Sequence, residues 1–308
     1  MKNQCFRSAV SLFTAVALSF CALCAPAAAE SYYVENEWNY VDGSMDVTGG
    51  IPEQVTGVLE RIRRKGVLRV ATEPYYAPQE FIDPYLSGQR QYVGADMELA
   101  RLIAERMGVE LEIVPMEFTQ VLVALTENQC DLTISAVAFT PGRASNYAMS
   151  KGYYYSENTA TAVFVIREED AGKITSEADL RDKTIIAQAN SLQEALVAKH
   201  VHSYLQFRRA SSIQGVYEAV QKGRADAGIV DLETAQNYLR NNPGAGLVLA
   251  EDLRYNLEKE YLGCRVVGKK GELQLMYFVN GVIDEVLADG LYQKWLEEAQ
   301  VRAAELGL

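Results

Sequence analysis

The chain has 308 residues, 23% of them charged, and a formal net charge of −12. That length accommodates two α/β units of ordinary size. The acidic balance argues against nucleic acid and anionic membrane surfaces as partners, because phosphate binding needs clustered Lys and Arg.

Residues 1–29 carry Lys2 and Arg7, an apolar run from Ala9 to Leu23, and Ala27-Ala28-Ala29 before Glu30. This charged, apolar, small-residue order is that of a secretory signal peptide, with cleavage expected after Ala29. The apolar run is too short and too poorly flanked by charge for a good membrane span. Cys21 and Cys24 follow Phe20 and Leu23, where a lipid-modified cysteine wants a small residue, so lipoprotein anchoring is the lesser expectation. Without the leader 27 basic residues face 41 acidic ones, a net charge of −14. Of five cysteines Cys130 and Cys264 remain, and they suit either a bridge in an oxidising compartment or two buried thiols. No metal or cofactor is implied, because His200 and His202 stand without neighbouring ligands.

Residues 30–65 form an N-terminal extension. Up to Gly50 it sets Tyr32, Tyr33, Trp38 and Tyr40 among acids, Asn and Gly, and no fold follows from that composition. Pro52 to Lys65 predicts an amphipathic helix with Val55, Val58, Leu59 and Ile62 on one side. Val67 to Ala71 then reads as a strand, and Thr72 to Pro78, with two prolines, as a loop. Gly94 and Asp96 open a helix whose face is Ala100, Ile103, Ala104 and Met107, closed by Gly108. Val109, Leu111 and Ile113 alternate as a half-buried strand, Phe118 to Leu125 forms a second helix, and Leu132 to Val137 the next strand.

There an apolar strand runs into a capped helix. Thr140 suits an N-cap and Pro141 the first helical position. Arg143 falls in the first turn, where it opposes the helix dipole by about a few tenths of a kcal/mol. An anion beside it would offset that cost; a solvated arginine is the plainer reading.

Past Tyr153 to Tyr155 the rhythm restarts. Thr184 to Ala187 is a strand, Ser191 caps a helix with Glu194 as its capping-box partner, and Tyr204 to Phe207 is extended. Ser212 caps a helix, and Ala227 to Val230 is a buried strand ending at Asp231. Residues from Glu272 to Gly307 are helical and are expected to pack on the first lobe. The pattern predicts an α/β fold of two lobes, each a mostly parallel sheet with helices on both faces. Residues 66–158 and 260–308 form lobe 1 and residues 159–259 lobe 2, with two hinge crossings near Tyr155 to Thr161 and Glu258 to Gly263.

In open parallel sheets a ligand lies beyond the carboxyl ends of the strands. That rule collects Glu73 to Pro78, Phe118, Ala136 to Arg143, Gln188 to Ser191, and Asp231. Arg143 and the N–H groups at two helix starts suit a carboxylate. Asp231 suits an ammonium, and Tyr76 and Phe118 offer flat walls that favour a cation. Each residue also has a duller reading: Ser191 and Asp231 as plain helix caps, Phe118 as core.

From Gly66 onward the chain resembles the polar amino-acid-binding group of periplasmic solute-binding proteins, family 3, the receptors of ABC importers. The matching segments are Gly66 to Thr72 leading to Tyr76 and Pro78, Val93 to Ala100, Asp131 to Arg143, Gly223 to Ala227, and Asp289-Gly290 with Tyr292 and Trp295. The resemblance implies a two-lobe periplasmic-binding-protein type II fold, a monomer, and hinge closure on a small polar amino acid delivered to a membrane permease. It implies that Arg143 takes the ligand carboxylate, Asp231 its ammonium, Tyr76 and Phe118 sandwich it, and Ser191 helps hold the carboxylate. Glu73 stands where an acid meets the ligand side chain, and Ala136, Ala138 and Asn190 complete the expected contacts. Ala138 replaces a hydroxyl residue, Asn190 a glycine, Leu192 a second hydroxyl residue, and Gln79 a common phenylalanine. Similar scaffolds include a dehydratase of prephenate or arogenate type, for which Glu73 would be the positioned acid. They also include sensor domains, which need a membrane span or a further catalytic domain after Leu308.

Overall fold

A computed structural model describes residues 40–155, 161–257 and 263–308. The signal peptide, the extension before Tyr40 and most of both hinge crossings lie outside the described residues. Helix α1 (Gly57–Lys65) starts later than Pro52, but it buries Val58, Leu59 and Ile62 as its spacing predicts. Strand β1 (Val67–Thr72) follows, then β2 (Tyr75–Tyr76), β3 (Glu80–Ile82) and β4 (Tyr92–Val93). The last three pair antiparallel into a small sheet, so the proline-rich stretch expected as loop contains part of a hairpin. Next come α2 (Ala95–Met107), β5 (Glu110–Pro115), α3 (Phe118–Val121), α4 (Val123–Thr126), β6 (Leu132–Thr133), α5 (Pro141–Asn146) and β7 (Tyr147–Tyr154). The helix expected over Phe118 to Leu125 is thus two single turns broken at Leu122. The strand expected to reach Val137 stops at Thr133, short of Ala136, whose φ of 44° lies in the left-handed region.

The second lobe comprises β8 (Thr161–Arg167), β9 (Thr184–Gln188), α6 (Leu192–His200), β10 (Gln206–Ala210), α7 (Ile213–Gln221), β11 (Ala227–Asp231), α8 (Leu232–Asn241) and β12 (Leu247–Asn256). The chain returns through β13 (Cys264–Lys269) and ends in α9 (Leu273–Ala288) and α10 (Leu291–Leu306). Both large sheets have five strands, ordered β5-β1-β6-β13-β7 and β10-β9-β11-β8-β12. In each, three neighbouring strands run parallel, and the strand arriving from the other lobe pairs antiparallel with both its neighbours. The sheets are mixed for a topological reason. A chain that enters at the edge where parallel strands end must run back away from it.

The core of the first lobe joins Leu68 and Val70 of β1, Leu99 and Ile103 of α2, and Val279 and Ile283 of α9, with Tyr292 and Leu296 of α10. The C-terminal helices therefore close this lobe. Cys130 and Cys264 are buried free thiols. Among the described residues no helix is long and apolar enough to cross a membrane.

Part of the extension has a definite place. Val41 N–H donates to the Met149 carbonyl on β7 (3.0 Å), and Met45 N–H to the Tyr277 carbonyl on α9 (3.0 Å). A Cβ on Gly281 would collide with the Met45 carbonyl. Buried Asn280 holds this strap through its Nδ2, which donates to the carbonyls of Val41 (2.8 Å) and Gly43 (2.7 Å). Its Oδ1 accepts from Lys151 N–H at 2.8 Å. Asn280→Ala strands these partners and is expected to destabilise the protein by about 2–3 kcal/mol. Urea unfolding measures this, and a loss within about 0.5 kcal/mol would show the strap to be peripheral to stability.

Candidate ligand-binding site

The carboxyl ends of β1, β6, β9 and β11 converge on a cavity of about 80 Å³ between the two sheets. Glu73, Tyr76, Phe118, Ala136, Ala138, Arg143, Ser191 and Asp231 all line it. Asn190 does not; it lies in an adjoining groove with Phe118 and Glu194. Its φ of 60° turns the chain there, and its carbonyl accepts from Arg143 Nη2 at 3.0 Å.

Arg143 is positioned by its own helix start, since Thr140 Oγ1 accepts from Arg143 N–H at 3.1 Å. The guanidinium donates through Nη1 to the Ala138 carbonyl at 2.8 Å and lies 5.8 Å from the centroid of the Phe118 ring. It has no carboxylate partner among the described residues. Desolvation holds its pKa down at about 10. A cation in that condition gains most from an anion that can accept a planar pair of hydrogen bonds.

Across the cavity, Asp231 ends β11 and caps α8, with Oδ1 accepting from Thr234 N–H at 2.8 Å. Tyr76 donates its hydroxyl to Oδ2. The residue is 3% exposed, and burial raises its pKa against the lowering effect of these hydrogen bonds. Both oxygens keep acceptor capacity for an ammonium. Asp231 is therefore a helix cap and a cavity wall at once, and so is Ser191, whose Oγ accepts from Glu194 N–H at 3.1 Å. Glu194 does not complete the expected capping box; its carboxylate accepts from Asn190 N–H at 2.7 Å instead.

The floor is acidic. Glu73, 1% exposed, accepts two bonds of 2.8 Å from Gln188 Nε2 of the other lobe. Burial lifts its pKa to about 8, with Gln188 opposing and Glu117 reinforcing the rise. Ser135 Oγ accepts from Glu73 N–H at 3.0 Å and donates to Glu80 at 2.9 Å. Burial and the neighbouring Asp96 raise Glu80 well above the usual carboxylate range. Asp96 itself accepts from Tyr292 (2.6 Å), Tyr153 (2.8 Å) and Ala136 N–H (2.8 Å). The Ala136 N–H is consequently occupied from within, and Ala138 offers no hydroxyl. Gln79, Glu80, Ser135, Gln188 and Cys264 also line the cavity. Of these, Gln188 lay within a stretch the sheet-edge rule selected, whereas Glu80 and Ser135 carry no sequence signal of their own.

Glu73 yields a test of its protonation. Between its ordinary 4.5 and about 8 the folded chain keeps a proton that the unfolded chain has lost. Its contribution to stability is present below the unfolded value and lost as pH rises through the folded one. Relative to the parent, Glu73→Gln is expected to gain stability as pH climbs through that window. Unfolding curves measured across it would show no divergence if Glu73 were ionised in the native protein.

A sequence profile of bacterial extracellular solute-binding proteins, family 3, matches residues 68–298. The arginine-binding extracellular protein ArtP of Bacillus subtilis is 30% identical over 179 residues, covering 58% of this chain and 66% of that protein, a little under two thirds of its length. The L-cystine-binding protein TcyJ of Escherichia coli is 24% identical over 243 residues, 78% of this chain and 86% of that one. An amino acid ABC transporter substrate-binding protein from Streptococcus pneumoniae, bound to L-arginine, has a crystal structure that matches with a TM-score of 0.71. It is 30% identical and covers 80% of this chain and 98% of its own.

Proposed function

Because the chain belongs to family 3 of the bacterial extracellular solute-binding proteins, we propose that it is the periplasmic receptor of an ABC importer and captures a small amino acid with a cationic side chain. One observation carries the reading: Arg143 lacks a carboxylate among the described residues, Asp231 has only neutral donors, and both line the same cavity. A zwitterion supplies both missing charges. Arg143 takes the carboxylate with a donor from Ser191, Asp231 takes the ammonium, and Tyr76 and Phe118 flank the ligand. Glu73 receives the side-chain cation and gives up its proton as that charge arrives, in keeping with the arginine bound by the pneumococcal neighbour.

Hydrogen bonds already cross between lobes at the cavity: Gln188 to Glu73, Tyr76 to Asp231, and Arg143 to the Asn190 carbonyl. The ligand adds bonds to both sides at once, and that differential affinity favours the closed state. The chain is a binding protein and not an enzyme, as are the relatives named above. Secretion by residues 1–29 and action as a monomer complete the proposal. A thermal-shift screen of the amino acids with calorimetry on the hits tests it. Saturable 1:1 binding of a basic amino acid is expected, and the absence of binding by every amino acid would overturn it.

A further inference from the structure

We propose that Gln79 is a specificity-determining residue whose side-chain carbonyl takes a second N–H of the ligand side chain beside Glu73, so that the site favours a planar guanidinium over an ammonium. This rests on the amino-acid receptor reading above. Gln79 lines the cavity and is 1% exposed, and its Oε1 has no hydrogen-bond partner among the described residues. A buried acceptor left unpaired in the protein is a demand for a donor from outside it.

The backbone beneath this side chain is clamped. Gln79 N–H donates to the Tyr76 carbonyl at 3.0 Å, and its own carbonyl accepts from Asp96 N–H at 2.9 Å. Gly94 packs so closely that a Cβ there would collide with the Gln79 carbonyl. Movement of the main chain is thereby prevented from relieving the unpaired amide.

Glu73 and Glu80 already place two acids in the floor, and Gln79 adds a further acceptor beside them. An amide oxygen accepts an N–H without adding charge. Each Glu73 oxygen takes one bond from Gln188 and retains a free lone pair. A guanidinium presents five N–H donors in a rigid plane and can address Glu73 and Gln79 together; an ammonium is a compact point charge with three.

Calorimetry with arginine and lysine on the parent, Gln79→Met and Gln79→Glu tests the assignment. The parent is expected to prefer arginine, and Gln79→Met to weaken arginine by roughly tenfold to a hundredfold while lysine changes by less than about threefold. Gln79→Glu keeps an oxygen in place and is expected to hold the arginine preference, which gives a readout even where Gln79→Met does not fold. An unchanged arginine-to-lysine ratio in Gln79→Met, or a lost preference in Gln79→Glu, overturns the inference. If the parent binds another amino acid and neither basic one, the inference falls while the receptor reading stands. If it binds no amino acid, both fall.

Discussion

Asp231→Asn is expected to lower amino-acid affinity by two orders of magnitude or more while leaving the fold intact. The carboxylate sits 3% exposed at the end of β11, and in the complex proposed here it is the counter-charge of the ligand ammonium. Removing one partner of a buried ion pair costs about 3–5 kcal/mol, which is about 2–4 decades of affinity. The substitution separates binding from structure, because asparagine caps helices about as well as aspartate. Thr234 N–H therefore keeps its acceptor. Calorimetry supplies the affinity and thermal unfolding the control. Binding at the parent level would remove Asp231 from the site.

Arg143→Ala is expected to be at least as severe, because the arginine acts twice. It offers the anion its planar donors, and it ties Ala138 on one lobe to Asn190 on the other. Alanine leaves a ligand carboxylate buried without a cation and also removes a bond that crosses the cleft, so both affinity and closure decline. A loss of about 3–5 kcal/mol is expected. Arg143→Lys keeps the charge but not the fork and belongs in between. Titration of the three proteins checks the order; equal affinities for parent and alanine variant would mean that the carboxylate is held elsewhere.

Much of this site was readable before any coordinates, for identifiable physical reasons. Buried parallel strands and amphipathic helices write regular periods into the chain, and a ligand at the carboxyl edge of such sheets follows from their topology. That is why eight of the nine anticipated residues line one cavity. Asn190 falls outside that cavity, because a side-chain type says nothing of a φ of 60°; its carbonyl and N–H meet Arg143 and Glu194 instead. Ala136 was expected among the ligand contacts, and its N–H is taken by Asp96, far away in sequence. The antiparallel strands β8 and β13 were missed as sheet partners because their pairings join distant segments, which local periodicity does not encode. The strap from Tyr40 to Val47 has no period at all, and its place is set by Asn280 at the other end of the chain.

That strap also bears on the exposed edge of the first sheet. β7 is an outer strand of the first sheet, and an outer strand with open N–H and C=O groups is a template for pairing with another chain. Tyr40 pairs with Met149 there as a parallel bridge, so the extension blunts the edge that would otherwise recruit a second copy. A chain begun at Pro52 would keep every residue of the cavity. It would also present a bare strand edge beside the face of α9 that the strap covers, and self-association through that edge is the expected result.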